Sequence, residues 1–198
     1  MECHLESASP LGFWAVRAVA PSGVTPNHLT TLRLVTGLAA ALGFAVGGRW
    51  AMFGGAVFVL SMLLDRADGE LARQTNQISE AGYRYDLFSD CAASMAAFLG
   101  VGVGLAPGMG PLGPLLGALA GVGIAVLFWQ LNVAKIGELR GFEFWGGRIT
   151  VDPDDAMIFV PILIWCGADR PMLLAAAVAT PGAALWLGFE ALRVKRER

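Results

Sequence analysis

Charge is the scarcest property of this 198-residue chain: Asp, Glu, Lys and Arg together make up 15% of it, with a formal net charge of −2. A nucleic-acid binder carries a basic excess, and none exists here. Disorder needs low hydrophobicity, yet 56% of the residues are hydrophobic before the 26 glycines are counted. Soluble globular chains reach about 45–50% with glycine included. The three cysteines, Cys3, Cys91 and Cys166, are far apart and form no CxxC or Cys/His spacing. They read as free thiols rather than a zinc site or a disulfide framework. The two histidines, His4 and His28, have no partner motif. The first twenty residues contain Glu2 and Glu6 and no long apolar core, so no cleavable signal peptide is expected. What is left is a small polytopic membrane protein.

Charge-free runs cover 34–48, 50–64, 91–134, 156–168 and 171–189. A span needs about 20 residues to cross ~30 Å, so the run 91–134 holds two spans, divided at Pro107-Gly108-Met109-Gly110-Pro111. The expected fold is all-α, with six transmembrane helices near 29–47, 50–73, 84–105, 112–136, 155–168 and 171–192. The fifth rests on the shortest run. Residues 1–24 form a lead-in, in which Leu11, Trp14, Ala15 and Ala18 share a face suited to a short interfacial amphipathic helix. Residues 25–192 form one bundle, and 193–198 a basic tail.

With the N-terminus in the cytosol, eleven basic residues fall on the cytosolic side and only Arg49 and Arg170 outside, while Arg33 lies within the first span. That bias places both termini in the cytosol. In a bacterium the membrane would be the inner one. Gly113, Gly117 and Gly121 form a small-residue row suited to close helix packing, within one chain or between two. A homodimer is expected. Trp50, Trp129, Trp165 and Trp186 read as interface anchors or packing residues.

One segment breaks the apolar pattern. Six of the sixteen acids lie in residues 65–90: Asp65, Asp68, Glu70, Glu80, Asp86 and Asp90. Ionised groups at membrane depth are costly and point to function. At 3.6 residues per turn, Asp65, Asp68, Gly69 and Ala72 share one face of the second helix, and Gly82, Asp86 and Asp90 one face of the third. With these helices as antiparallel neighbours joined by a short turn, both carboxylate pairs point into one cavity. Glu70 and Glu80 lie off those faces and read as solvated. Converging carboxylates must be protonated or bound to cations. Hard ions such as Mg²⁺ suit them and bring phosphate ligands along. Gly69 and Ala72 leave room for a ligand, and Arg73 offers a cation for a diphosphate. The plainer alternative is a solvated charge ladder at a helix end; alignment of the whole set over two helices favours the ligand site.

These residues carry a specific resemblance. Asp65-x-x-Asp68-Gly69-x-x-Ala72-Arg73, eight residues, then Gly82-x-x-x-Asp86-x-x-x-Asp90 is similar to the motif of the CDP-alcohol phosphotransferase (CDP-alcohol phosphatidyltransferase) family at all eight fixed positions. Thr25-Pro26-Asn27-His28-Leu29-Thr30 and Arg33 resemble that family's entry to its first span. The resemblance implies transfer of a substituted phosphate from a CDP-linked lipid donor, most often CDP-diacylglycerol, to an acceptor hydroxyl, with release of CMP. It implies that Asp65, Asp68 and Asp86 bind two Mg²⁺ (or Mn²⁺) ions, that Asp90 completes the metal site and is the base, and that Gly69, Ala72, Arg73, Gly82 and, more weakly, Asn27 join Asp65 and Asp68 around the CDP. Family members with phosphorylated acceptors place basic residues near the end of the fourth span, where Lys135, Arg140 and Arg148 stand; positive-inside topology alone also predicts them. Asp152, Asp154 and Asp155 follow. The acceptor is a small alcohol or polyol phosphate. CDP-choline or CDP-ethanolamine transfer to a lipid alcohol is the alternative within the family. An Asp-rich prenyltransferase needs more spans, and a divalent-cation transporter would place its acids nearer the midplane.

Overall fold

A computed structural model describes residues 25–134, 142–144, 149–151 and 157–196. The expected interfacial helix in 1–24, Cys3 and His4, Lys135, Arg140, Arg148 and Asp152, Asp154 and Asp155 all lie outside the described residues.

The first helix, α1 (Pro26–Val46), starts with Thr25 in an extended conformation and a proline in its first turn, a position where the missing N–H costs nothing. The Thr25 amide donates to His28 Nδ1 at 3.3 Å. Gly47 and Gly48 follow with φ of 76° and 54°, left-handed values that glycine adopts without strain, and the chain reverses directly into α2 (Arg49–Gln74). A turn through left-handed Asn76 leads to α3 (Glu80–Gly104), where the Ser79 hydroxyl accepts from the Gly82 amide at 3.0 Å as an N-cap. A four-residue turn of helix, α4 (Ala106–Met109), fills the expected break. Then comes α5 (Leu112–Phe128), prolonged by a π turn at Trp129–Val133. Two short strands, β1 (Phe142–Phe144) and β2 (Ile149–Val151), pair antiparallel with Phe142 opposite Val151. Helices α6 (Phe159–Trp165) and α7 (Asp169–Arg196) complete the chain. The basic residues from 193 to 196 thus continue the last helix instead of trailing from it.

Five helices are long and apolar enough to cross a bilayer: α1, α2, α3, α5 with its π turn, and α7. Their outward faces carry apolar side chains such as Leu42, Val178 and Leu185, each at least 70% exposed, as lipid-facing surfaces do. The chain is therefore an all-α polytopic membrane protein with one small hairpin. The segment expected to form the fifth of six spans is helical over seven residues, Phe159–Trp165, only ~10 Å at 1.5 Å per residue.

Neighbour relations set up the site. Helix α1 packs against both α2 and α3, α3 against α5, and α5 against α7, while α6 packs on α2. The expectation that the two acidic helices pack on each other needs correction: each leans mainly on α1, which enters between them. The core is built from small residues and a few aromatics, among them Ala40, Phe44, Phe58, Ala97, Phe98 and Ala120. Close approach explains the glycine row. A Cβ at Gly117 would lie 2.5 Å from the Phe98 carbonyl oxygen, and one at Gly113 2.5 Å from that of Gly102. The row therefore seats α5 on α3 within one chain. Trp50, Trp129, Trp165 and Trp186 are exposed, and Trp165 Nε1 donates to the Met52 carbonyl at 3.0 Å, fastening α6 to α2.

Candidate active site

The aspartates gather at the end of the bundle where α2 finishes and α3 begins. One carboxylate oxygen from each of Asp65, Asp68 and Asp86 lies within 4.8 Å of the other two. That spacing lets one or more cations bridge the three groups, with hard oxygen donors of the type Mg²⁺ takes. Asp90 stands one turn further along α3 and joins through an arginine.

That arginine is Arg33, 6% exposed, on the helix wedged between the other two. Its Nε lies 3.3 Å from Asp65 Oδ1, its Nη1 3.5 Å from Asp86 Oδ1, and its Nη2 forms an ion pair with Asp90 Oδ1. The Nε contact is close in distance but misaligned, so this buried N–H lacks a true hydrogen bond. Ser61 donates to the Arg33 carbonyl at 2.8 Å and pins the backbone of α1 to α2 at this level. One turn earlier, Thr30 Oγ1 donates to Asp68 Oδ2 at 2.7 Å, and Asp68 is itself buried. Helix α1 thus supplies one cation and one hydroxyl to a group of four carboxylates, and both contributors lie one turn apart on its inner face.

Beside the carboxylates opens a cleft of about 270 Å³. Asn27, Asp68, Gly69, Ala72, Arg73 and Gly82 all line it, together with Asp86. Of the residues expected around the CDP, only Asp65 is set back, beside Arg33. Gly69 has a clear meaning here. A Cβ built on it would have Arg73 Nη1 at 3.9 Å as its sole neighbour within 4 Å. No helix presses on that surface, so packing does not explain the glycine; open space toward the cleft does. Gly82 is more confined, with Ser79 Oγ at 3.0 Å and Asn27 Oδ1 at 3.3 Å from the same imagined atom.

Glu70 departs from expectation. It is buried, not solvated: Arg73 donates to its Oε2 through Nη2 at 2.9 Å and Nε at 3.3 Å, and Gln74 Nε2 donates to its Oε1 at 2.9 Å. Its own i+3 and i+4 neighbours bond to both carboxylate oxygens. The pairing orients Arg73, whose side chain is still 65% exposed, and its Nη1 is left beside Gly69 at the cleft. Glu80 behaves as expected, exposed and paired with Arg84 at 2.6 Å. Helical spacing did not single out Thr30, Gln77, Ile78 and Tyr83, which also line the cleft. Thr30 belonged to the entry segment that resembles the family's; the other three were signalled only by position, in the inter-helix turn or one turn before Asp86.

Comparison with known proteins agrees with this geometry. The sequence matches the CDP-alcohol phosphatidyltransferase family over residues 23–181. Among solved structures, the fold is similar to the crystal structure of Mycobacterium tuberculosis phosphatidylinositol phosphate synthase with CDP-DAG bound, at TM-score 0.68 and 20% identity, over 94% of this chain and 93% of that one. No curated protein matches in sequence. With the family match running from before α1 into α7 and the eight motif residues gathered at one end of the bundle, this chain belongs to the CDP-alcohol phosphatidyltransferase family.

Proposed function

We propose that this chain moves a phosphatidyl group from CDP-diacylglycerol to the hydroxyl of a small polyol or polyol phosphate, releasing CMP in phospholipid synthesis. The observation that carries the reading is the triad of Asp65, Asp68 and Asp86 oxygens within 4.8 Å of one another, beside a cleft that Gly69 leaves open. The CDP-DAG held by the similar Mycobacterium tuberculosis synthase supports the donor, and that protein's name supports a polyol phosphate acceptor.

Asp65, Asp68 and Asp86 hold the divalent cations, with Asp90 completing the set. Four carboxylates offset by Arg33 leave three negative charges. Two Mg²⁺ or Mn²⁺ ions exceed that by one, in favour of a diphosphate ligand. Metal held by these carboxylates would neutralise charge on the diphosphate and stabilise the charge that develops in the transfer. Asn27, Gly69, Ala72, Arg73 and Gly82 surround the CDP, with Arg73 giving donors to phosphate oxygens. The acceptor oxygen bonds to the phosphorus that carries the diacylglycerol. The bond from that phosphorus to the CMP oxygen breaks, and its electron pair leaves with CMP. Asp90 takes the acceptor's proton. A carboxylate is a weak base, adequate when the hydroxyl is acidified within the site. Positioning and charge stabilisation carry most of the rate in such transfers.

The finer architecture belongs to the same proposal: six crossings with α6 in the short one, cytosolic termini, the reaction at the cytosolic face, a homodimer, and Lys135, Arg140 and Arg148 as candidates for an acceptor phosphate. The test is CMP release from membranes carrying the protein, with CDP-diacylglycerol, CDP-choline and CDP-ethanolamine each set against a panel of acceptors, in Mg²⁺ and Mn²⁺. Asp90→Asn membranes serve as control. CMP from CDP-diacylglycerol with a polyol is expected. CMP only from CDP-choline or CDP-ethanolamine with diacylglycerol, or metal flux with no CMP, overturns the reading.

A further inference from the structure

A second cavity lies between α5 and α7, and no step of the proposed reaction uses it. It is a groove of about 540 Å³, walled by Leu119, Val122 and Val126 on one side and Pro181 and Leu185 on the other. That volume is within the ~300–1,000 Å³ range of ligand sites. The two helices run in the same direction, since Thr180 Oγ1 donates to the Ala120 carbonyl and Gln130 Nε2 to the Ala184 carbonyl, each at 3.0 Å. Helix α5 is antiparallel to α3, with Gly113 against Gly102 and Gly121 against Met95. The Gln130 end of the groove is therefore the end of the bundle that holds the aspartates.

Gln130 is the group that packing does not explain. It lies in the π turn, lines the groove and is only 7% exposed. Among the described residues its Oε1 has no hydrogen-bond partner. A buried acceptor left unpaired is costly, so a group that donates to it is favoured there. The Ala184 carbonyl fixes the amide's orientation, because turning it over would set two oxygens face to face. π turns recur at functional positions. Beyond Gln130, Phe189 and Leu192 continue the groove, and the Arg193 guanidinium lies over the Phe189 ring at 5.3 Å from its centroid. Along its length the groove thus presents an apolar wall and then a buried acceptor, with a cation held over Phe189 at its end.

We propose that this groove binds a monoacyl glycerophospholipid. Its acyl chain lies along Leu119, Val122 and Val126, its free glycerol hydroxyl donates to Gln130 Oε1, and its phosphate faces Arg193. The order of chain, hydroxyl and phosphate in such a lipid is the order of wall, acceptor and cation in the groove. From Leu119 to Gln130 the helix rises ~16 Å at 1.5 Å per residue, about half of a ~30 Å hydrocarbon core, which suits a lipid of one leaflet. A diacyl phospholipid has its glycerol hydroxyls esterified and offers no donor there. Diacylglycerol has the hydroxyl but nothing for Arg193.

The test reads lipid retention and not turnover, so its failure is separate from failure of the proposed reaction. Full-length protein is incubated with monooleoyl-glycerophosphate, dioleoyl-phosphatidic acid or dioleoylglycerol, and bound lipid is counted by native mass spectrometry. The monoacyl lipid should be retained best. Gln130→Leu should lower its retention about fivefold, the factor that one hydrogen bond of ordinary net strength gives, and leave phosphatidic acid unaffected. Val126→Trp, which fills the groove from a partly exposed position, should abolish it. Equal retention of the monoacyl lipid by wild type and Gln130→Leu overturns the proposal. So does a preference for dioleoylglycerol that Arg193→Gln leaves unchanged. A disulfide between copies through Val126→Cys also overturns it, by showing that a second copy covers the groove.

Discussion

Arg33 decides how four carboxylates can share one end of a membrane bundle. It contacts Asp65, Asp86 and Asp90 while almost fully buried, and removing one partner of a buried ionic cluster costs about 3–5 kcal/mol. Arg33→Gln should therefore lower the melting temperature strongly in a chelator and much less in excess Mg²⁺, where the added cation takes over the neutralisation. A thermal-shift series with and without metal checks this; equal losses in both would leave Arg33 a purely structural role. Asp90→Asn should lose turnover far more than donor affinity, whereas Asp65→Ala should lose metal and donor binding together; paired binding and rate measurements separate the two. Gly69→Ala isolates the ligand argument. Space for the methyl exists, and alanine is favoured over glycine within a helix by roughly 0.5–1 kcal/mol. The variant should fold as well as or better than wild type and yet bind the CDP-linked donor more weakly. Normal donor affinity would mean that the cleft is not the donor site. The aspartates were legible because charges in an apolar chain can be read one by one. Arg33 was visible as a charge within a span, but a lone arginine carries no spacing that reveals three partners on two other helices. Glu70 was misread because its burial comes from side chains of its own helix folding over it, which an argument from faces omits.

Among the elements, α3 and α5 meet in a tight seam, with glycine set against carbonyl oxygen at Gly113 and Gly117. Overfilling a packed seam costs about 1–3 kcal/mol. Gly117→Leu should lower the yield of folded protein and the melting temperature without changing the donor affinity of the fraction that folds; a normal melting curve would show that α5 can retreat from α3. The spans of α1, α2, α3, α5 and α7 could be anticipated from charge-free runs and turn residues, to within a few residues. The hairpin of β1 and β2 could not, because three-residue strands carry too little alternation to stand out. Nor could the π turn, since an extra residue inside a helix leaves the hydrophobic period almost unchanged. The short α6 shows where length arithmetic is weakest: within the apolar run 156–168, the α-helix among the described residues covers Phe159–Trp165.

For the molecule as a whole, the arrangement of ends can be tested with the native thiols. Cys166 is exposed at the turn between α6 and α7, away from the aspartates, while Cys91 is half-buried on α3 beside Asp90. With Cys3 and Cys91 changed to serine, a membrane-impermeant maleimide should label Cys166 in intact cells if the proposed orientation holds. Labelling only after the membrane is opened would reverse it. The wedge position of α1 has one more consequence, for how the protein is made. As the chain leaves the ribosome, α1 enters the bilayer before α2 and α3, carrying an arginine whose partners have not yet been synthesised, at a cost of a few kcal/mol for a charge at membrane depth. Asp65 and Asp68 arrive with α2, and Asp86 and Asp90 only with α3. The first three helices therefore form the smallest unit in which Arg33 meets all of its carboxylate partners. Insertion one helix at a time is disfavoured at this end of the protein, so the reaction centre and the membrane-entry unit are the same piece of chain.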